Sequence, residues 1–278
     1  MRASLIQLEV SDPGSPDERR AHAAELVRAR AGDDLVVLPE LWTTGAWAYD
    51  AWQAGAETVD GPAAVDSPTV RAMSTAAGSA GVWLHAGTVV ERADDGSLYN
   101  TALLFDRTGA LRRTYRKIHR YGFDTGEAVW MAAGRDVVTL TTEFGDLGLA
   151  TCYDLRFPEL FRALVEVGTQ ILVIPSAWPA TRREQWRILC RARAVEEQAV
   201  VLACCSAGTH ADMHQAGGSL IVDPWGAVLA EAGHDEEVLT ADIDMDAVTT
   251  LRRELPVLQD RILGIPAPEG GIAPLRRV

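Results

Sequence analysis

Basic side chains are in short supply: across 278 residues, 26 Lys and Arg stand against 39 Asp and Glu, a formal net charge of −13. Polyanions are bound through a surplus of Lys and Arg, so neither nucleic acid nor an anionic membrane surface is expected as a partner. The short basic clusters have local explanations. Arg182-Arg183 opens an expected helix, and Leu111 to Arg120 reads as strand plus turn. Long apolar runs are also missing, and none approaches the length of a membrane span. Met1 to Leu8 is followed at once by Asp12 and Pro13, without the apolar segment of a signal peptide, so a cytoplasmic location is expected. Cysteine is limited to 4 residues, Cys152, Cys190, Cys204 and Cys205. A disulfide scaffold is thereby excluded, and each reduced thiol is either core filler or chemistry.

What is present is a composition able to bury a large core: 47% hydrophobic and 23% charged residues, with Gly 24 and Pro 13 spread along the chain. Short apolar runs alternate with helical patterns. Strands are expected at Ala3 to Leu8, Leu35 to Leu38, Val82 to Val90, Asn100 to Phe105, Leu111 to Arg116, Val137 to Thr141, Leu147 to Thr151, Ile171 to Ile174, Val200 to Cys204, Ser219 to Val222 and Val238 to Ile243. Helices are expected at Pro16 to Ala31, Pro68 to Ala80, Pro158 to Val167, Arg182 to Glu197 and Met245 to Glu254. Turn chemistry at Asp94-Asp95-Gly96 and Arg107-Thr108-Gly109 marks hairpins. The alternation implies one α/β domain, residues 1–255, with mixed sheets and helices on their outer faces. The Pro- and Gly-rich stretch from Pro256 to Val278 reads as an extended tail, either a loose terminus or an arm across a subunit interface.

Three strand ends carry reactive groups, the position where an open sheet presents function. Glu40 follows Leu35-Val36-Val37-Leu38-Pro39, Lys117 follows Leu111 to Arg116, and Cys152 lies between the run Leu147 to Thr151 and the helix expected from Pro158. A thiol must lose its proton to attack, and a desolvated carboxylate can take that proton, later activate water and protonate a leaving amine. A lysine ammonium, with the backbone N–H of Tyr153, would stabilise an oxyanion. Taken singly, a strand-end Glu is more often a surface ion pair and a lone Cys more often buried filler.

The surrounding residues change that balance. Leu38-Pro39-Glu40-Leu41-Trp42-Thr43-Thr44-Gly45, Tyr115-Arg116-Lys117-Ile118-His119 and Thr151-Cys152-Tyr153-Asp154-Leu155-Arg156-Phe157-Pro158-Glu159 resemble, in order and spacing, the three signatures of the nitrilase superfamily of carbon–nitrogen hydrolases. The likeness continues through Pro175 to Pro179, Arg191 to Glu196 and Gly218 to Gly226, and so covers roughly Met1 to Glu254. It implies an α-β-β-α sandwich that dimerises into a longer assembly. It also implies Glu40-Lys117-Cys152 catalysis through a thioester or thioimidate, with no metal or organic cofactor. Glu127 occupies a place compatible with the second glutamate of many superfamily amidases, where it would hold Lys117 and the substrate or water in register.

The residues after the cysteine are similar to the branch that hydrolyses terminal amides of small dicarboxylic or keto acids, the ω-amidase and deaminated-glutathione-amidase type. Arg156 would then bind a substrate carboxylate or, alternatively, brace the turn through Asp154 or Glu159. Tyr153, Arg156, Trp178 and Arg120 are the candidate substrate contacts, with Arg120 and Tyr121 placing a charge and a phenol near the pocket rim. An N-carbamoyl-amino-acid hydrolase, a nitrilase and a catalytically silent binding member of the fold are the alternatives. Ala177, Glu197 and Cys204-Cys205 depart from common family residues and bear on acyl-group specificity. Cys204, Cys205, His210 and His214 form a spacing that could suggest a metal. Adjacent cysteines on a strand point to opposite faces, however, which argues against one shared ion. A Cys-His arrangement using His119 or His210 is a further alternative, less needed where a carboxylate and a lysine already supply base and donor.

Overall fold

The computed structural model describes residues 1–263, so the expected tail beyond Leu263 lies outside the described residues. The alternation read from the sequence resolves into strands β1 (Arg2–Gln7), β2 (Leu35–Val37), β3 (Trp83–Arg92), β4 (Leu98–Phe105), β5 (Leu111–Arg116), β6 (Thr139–Thr142), β7 (Gly145–Leu149), β8 (Ile171–Ser176), β9 (Val200–Cys205), the small hairpin β10 (Thr209–His210) and β11 (Met213–His214), β12 (Leu220–Val222), β13 (Val228–Glu231) and β14 (Glu237–Asp242). The helices are α1 (Pro16–Arg28), α2 (Tyr49–Gly55), α3 (Pro68–Ala80), α4 (Glu127–Trp130), α5 (Pro158–Glu166), α6 (Arg183–Glu197) and α7 (Asp246–Glu254). Short α2, α4 and β13 were not expected. Their four to seven residues are too brief to display a period.

Two 6-stranded sheets, in the orders β14-β1-β2-β3-β4-β5 and β13-β12-β9-β8-β7-β6, stack face to face. Strands buried on both faces explain the unbroken apolar runs. In β2, Leu35 and Val37 point between the sheets, where they meet Leu147, Ile171, Val173 and Leu202. Val36 and Leu38 point outward onto the layer of α1 and α3, against Val27 and Met73. On the far side, α5 and α6 cover the second sheet through Phe161, Leu164, Trp186 and Cys190. The result is the expected α-β-β-α sandwich.

The helix starts follow from local chemistry. Ser15 and Glu18 form a capping box ahead of α1, and Ser67 accepts the Val70 N–H at 3.1 Å ahead of α3, each followed by a proline that fits the first helical turn. Among the described residues, no helix is long and apolar enough to cross a membrane.

Strand direction positions the site. β2 runs parallel to β3, β3 antiparallel to β4 and β4 antiparallel to β5, so the carboxyl ends of β2 and β5 emerge at one edge. β7, β8 and β9 run parallel in the facing sheet. The ends meet across the sandwich where the Glu40 N–H donates to the Ser176 carbonyl at 3.4 Å.

Candidate active site

Glu40 leaves β2 through a sharp turn. Leu41, the next residue, has φ 45°, and its N–H donates to Thr88 Oγ1 at 2.9 Å. The turn fits because β3 carries Gly87 at φ 65°: a Cβ there would lie 1.8 Å from the Pro39 carbonyl oxygen. Cys152, φ 47°, begins the tight 3-10 turn Cys152–Arg156 between β7 and α5. A left-handed non-glycine residue costs on the order of 1–3 kcal/mol, and here such strain adjoins the carboxylate and falls on the thiol residue itself.

The three strand-end groups meet, joined by Glu127 from the first residue of α4. Lys117 Nζ donates to Glu40 Oε1 at 2.7 Å and to Glu127 Oε2 at 2.7 Å, with all three side chains buried. Glu40 Oε2 accepts the Ala177 N–H at 3.0 Å, and Glu127 Oε2 also accepts the Tyr121 N–H at 2.8 Å. Asn100, which the sequence reading passed over, donates through Nδ2 to Glu40 Oε1 at 2.8 Å and to Glu127 Oε1 at 2.6 Å.

The electrostatics follow from one cation and two carboxylates in a buried site. Burial disfavours the Lys117 ammonium, but Glu127 and Glu40 outweigh it and hold the lysine well above its ordinary pKa. Burial, reinforced by Glu40, raises Glu127 against the opposing pull of Lys117 and Asn100. The Cys152 thiol is pushed well above its usual value by burial and then by Glu40, with Lys117 opposing. The resting thiol is therefore neutral, and it needs a neighbouring base to become a nucleophile.

The nucleophile turn is braced from several sides. Asp154 Oδ2 accepts the Thr151 N–H at 2.9 Å and the Tyr115 hydroxyl at 2.8 Å, and Asp154 Oδ1 accepts the His119 N–H at 2.9 Å. His119 Nδ1 lies 2.8 Å from the same Oδ1, while its ring stacks on Phe157. His119 thus ties the lysine segment to the cysteine turn. Arg193 reaches the turn from α6, its Nη2 donating to the Leu155 carbonyl at 3.1 Å.

A narrow cleft opens onto Cys152, bounded by Trp47, Tyr121, Tyr153, Arg156, Trp178 and Arg182. Its free volume is about 30 Å³, close to the space one water molecule takes in the liquid. Of the expected contacts, Tyr153, Arg156 and Trp178 line this cleft together with Glu40, Lys117 and Glu127. Arg156 braces the turn through neither acidic neighbour: its Nη2 donates to Gln185 Oε1 at 2.7 Å, and its guanidinium lies 4.7 Å from the Trp178 ring centre.

Arg120 corrects the expectation. Its Nη1 donates to the carbonyls of Ala128 and Met131 at 3.3 and 2.9 Å, and it lines a separate hollow with Asp60, Arg116 and Arg135. The phenol of Tyr121 reaches the rim instead, accepting from Arg182 Nη1 at 3.1 Å. Trp47 and Arg182 complete the mouth from outside the quoted motifs. Cys204 packs between the sheets and Cys205 toward the helices, opposite faces of β9.

Comparison with known proteins identifies the family. The family model described as carbon-nitrogen hydrolase matches residues 2–253. A 2-oxoglutaramate amidase of Paenarthrobacter nicotinovorans is 41% identical over 274 residues, covering 96% of this chain and 91% of the relative. An omega-amidase of Homo sapiens is 33% identical, covering 94% of each chain. Among solved structures, a CN-hydrolase superfamily protein from Xanthomonas campestris, described with an arsenic adduct in its active site, superposes with a TM-score of 0.86 at 30% identity, covering 96% of this chain and 99% of that one.

Proposed function

The chain belongs to the carbon–nitrogen hydrolase family, and we propose that it releases ammonia from a small, carboxylate-bearing terminal amide through a thioester on Cys152. The observation that carries this reading is the buried Glu40–Lys117–Glu127 arrangement beside a thiol that rests neutral.

The Cys152 proton passes to Glu40 as sulfur attacks the amide carbon. The oxyanion that forms is met by Lys117 Nζ and by the Tyr153 N–H at the start of the 3-10 turn, where the first amides have no helical acceptor. Glu40 returns the proton to the leaving nitrogen, and ammonia departs as the C–N bond breaks. A water deprotonated by Glu40 then opens the thioester, giving the carboxylic acid and restoring the thiol. Glu127 keeps Lys117 fixed throughout. One catalytic domain, residues 1–255, fits the pairing of N-terminal β1 with C-terminal β14.

Two features support the substrate class. The cleft leads directly to Cys152, and Arg156 on its wall has guanidinium hydrogens beyond the one given to Gln185. A carboxylate at the other end of the substrate would find a bidentate partner there. The relatives named for amides of this kind, 2-oxoglutaramate among them, lend the same support. Ammonia release from 2-oxoglutaramate, succinamate and butyramide tests it. The charged amides should react faster, and Arg156→Gln should erase that advantage by raising KM for them alone. Equal rates on all three would reject the carboxylate.

We also propose a homodimer. On the outer face of α6, Ile188 and Val195 are 56% and 52% exposed, and Trp225 beside Val195 is 57% exposed. Such an apolar patch on a helical layer suits a second copy of the same surface. Ile188→Asp should shift sedimentation toward the monomer.

A further inference from the structure

Asn100 occupies a strand position that favours β-branched or aromatic residues, within Leu98-Tyr99-Asn100-Thr101-Ala102, yet it is only 3% exposed. A buried primary amide must find partners for its donors. Both hydrogens of Nδ2 are spent, one on Glu40 and one on Glu127, while the backbone carbonyl accepts the Lys117 N–H at 2.8 Å. This one residue contacts all three members of the charged cluster. Its Oδ1 is buried without a partner, so the amide sits here for its donors.

The hydrogen bonds can be assigned oxygen by oxygen. Glu40 Oε1 accepts from Lys117 and Asn100, whereas Oε2 accepts only from the Ala177 N–H. Glu127 Oε1 accepts from Asn100, and Oε2 from Lys117 and Tyr121. We propose that Asn100 is a positioning residue that saturates Oε1 of Glu40, leaving Oε2 as the oxygen that exchanges a proton with Cys152, and that keeps both glutamates ionised around a single lysine. The proposal rests on the hydrolase reading given above.

Two carboxylates and one ammonium leave a net negative charge in a buried site, and like charges favour protonating one carboxylate. Hydrogen bonds to the charged form oppose that, and Asn100 supplies one to each. The groups facing the pair are Lys117 from the end of β5, Cys152 from its turn, the Tyr49 phenol from α2 toward Glu127, the Cys205 thiol from β9 toward Glu40, and the backbone N–H groups of Tyr121 and Ala177, while the charge of Asp154 acts on Lys117. Lys117 is the only cation among them. Without Asn100, Glu40 can rotate, and a proton settles on the pair at higher pH.

Asn100→Leu keeps the volume and removes the donors. kcat should fall about a hundredfold with KM little changed, the scale expected when a reacting group loses its register. The acid limb of the kcat profile should move up by about one to two pH units, the equivalent of one lost hydrogen bond to a charged group. Asn100→Ser, with one donor, should recover part of both effects, and Asn100→Asp should be worse than Leu. The pH dependence of Cys152 alkylation by iodoacetamide should show the same shift. That arm uses no substrate, so it stands even if the amidase reading fails. Unchanged alkylation and kcat profiles in Asn100→Leu and Asn100→Ser, with only the melting temperature lowered, would overturn the proposal.

Discussion

Replacing Lys117 by Met removes the cation from between two buried carboxylates while keeping a side chain of similar length. Each carboxylate lies 2.7 Å from Nζ, and neither has another charged partner within ion-pair distance among the described residues. Breaking a buried ion pair by deleting one partner costs roughly 3–5 kcal/mol, because the remaining charge stays desolvated. For a chain of this size that corresponds to a melting temperature lower by about 10 °C at pH 7.5. The deficit should narrow toward pH 5. Without the lysine, the folded-state pKa of Glu127, already raised by burial and by Glu40, rises further above its unfolded value, so the folded state gains from protonation at low pH and loses that gain as pH rises. Activity should suffer twice. Loss of an oxyanion donor removes roughly 3 kcal/mol, about a hundredfold, and a proton shared by Glu40 and Glu127 takes the base out of service as well. Calorimetry across pH together with ammonia release at pH 7.5 makes the test. A variant that keeps kcat within about tenfold of the parent, with an unchanged melting temperature, would refute the account of Lys117 as both structural counter-ion and oxyanion donor.

Three further outcomes follow from the same structure. Cys152→Ala should abolish ammonia release while leaving the fold intact, and intact-mass measurement of the wild type mixed with substrate should reveal an acyl adduct that the variant lacks. His85 is fully buried with neither ring nitrogen partnered, and burial lowers its pKa from 6.5 to about 4. Its neutral form therefore contributes stability above pH 6.5 that is lost as pH falls toward 4, about 3 kcal/mol in all; His85→Leu should flatten the melting temperature between pH 7 and 5, and an unchanged slope would show that other groups dominate. His119→Ala should lower kcat more than it raises KM, since it cuts the link through Asp154 between the lysine segment and the cysteine turn.

Most strand positions were legible, and Glu40, Lys117 and Cys152 were too, because each follows a strand-like run and lies in a motif resembling the family's signatures; Glu127 rested on the resemblance alone, and the strand order within the sheets was not read at all. Glu40 and Cys152 each end an apolar run, and a buried two-faced strand announces itself by that run alone. Asn100 and Arg120 show where such reading stops. Asn100 lies inside a strand, where a single polar residue cannot be told from one facing solvent until the partner strands are known. Its register beside Lys117 depends on the β4–β5 pairing, Thr101 opposite Arg116, which no local pattern encodes. Arg120 follows the lysine motif closely enough to suggest the rim, but the segment turns there, and its guanidinium satisfies carbonyls of the α4 region that would otherwise lack partners. Tyr121 turns the other way, so that its N–H serves Glu127 while its hydroxyl meets Arg182. One residue of difference in sequence separates a structural strut from a wall of the cleft. The decisive quantity is side-chain direction, set by contacts with the α4 region and with Arg182 just ahead of α6. Residues whose role rests on ending a strand are thus readable from sequence, while those whose role rests on bridging two elements emerge only when the elements are placed together.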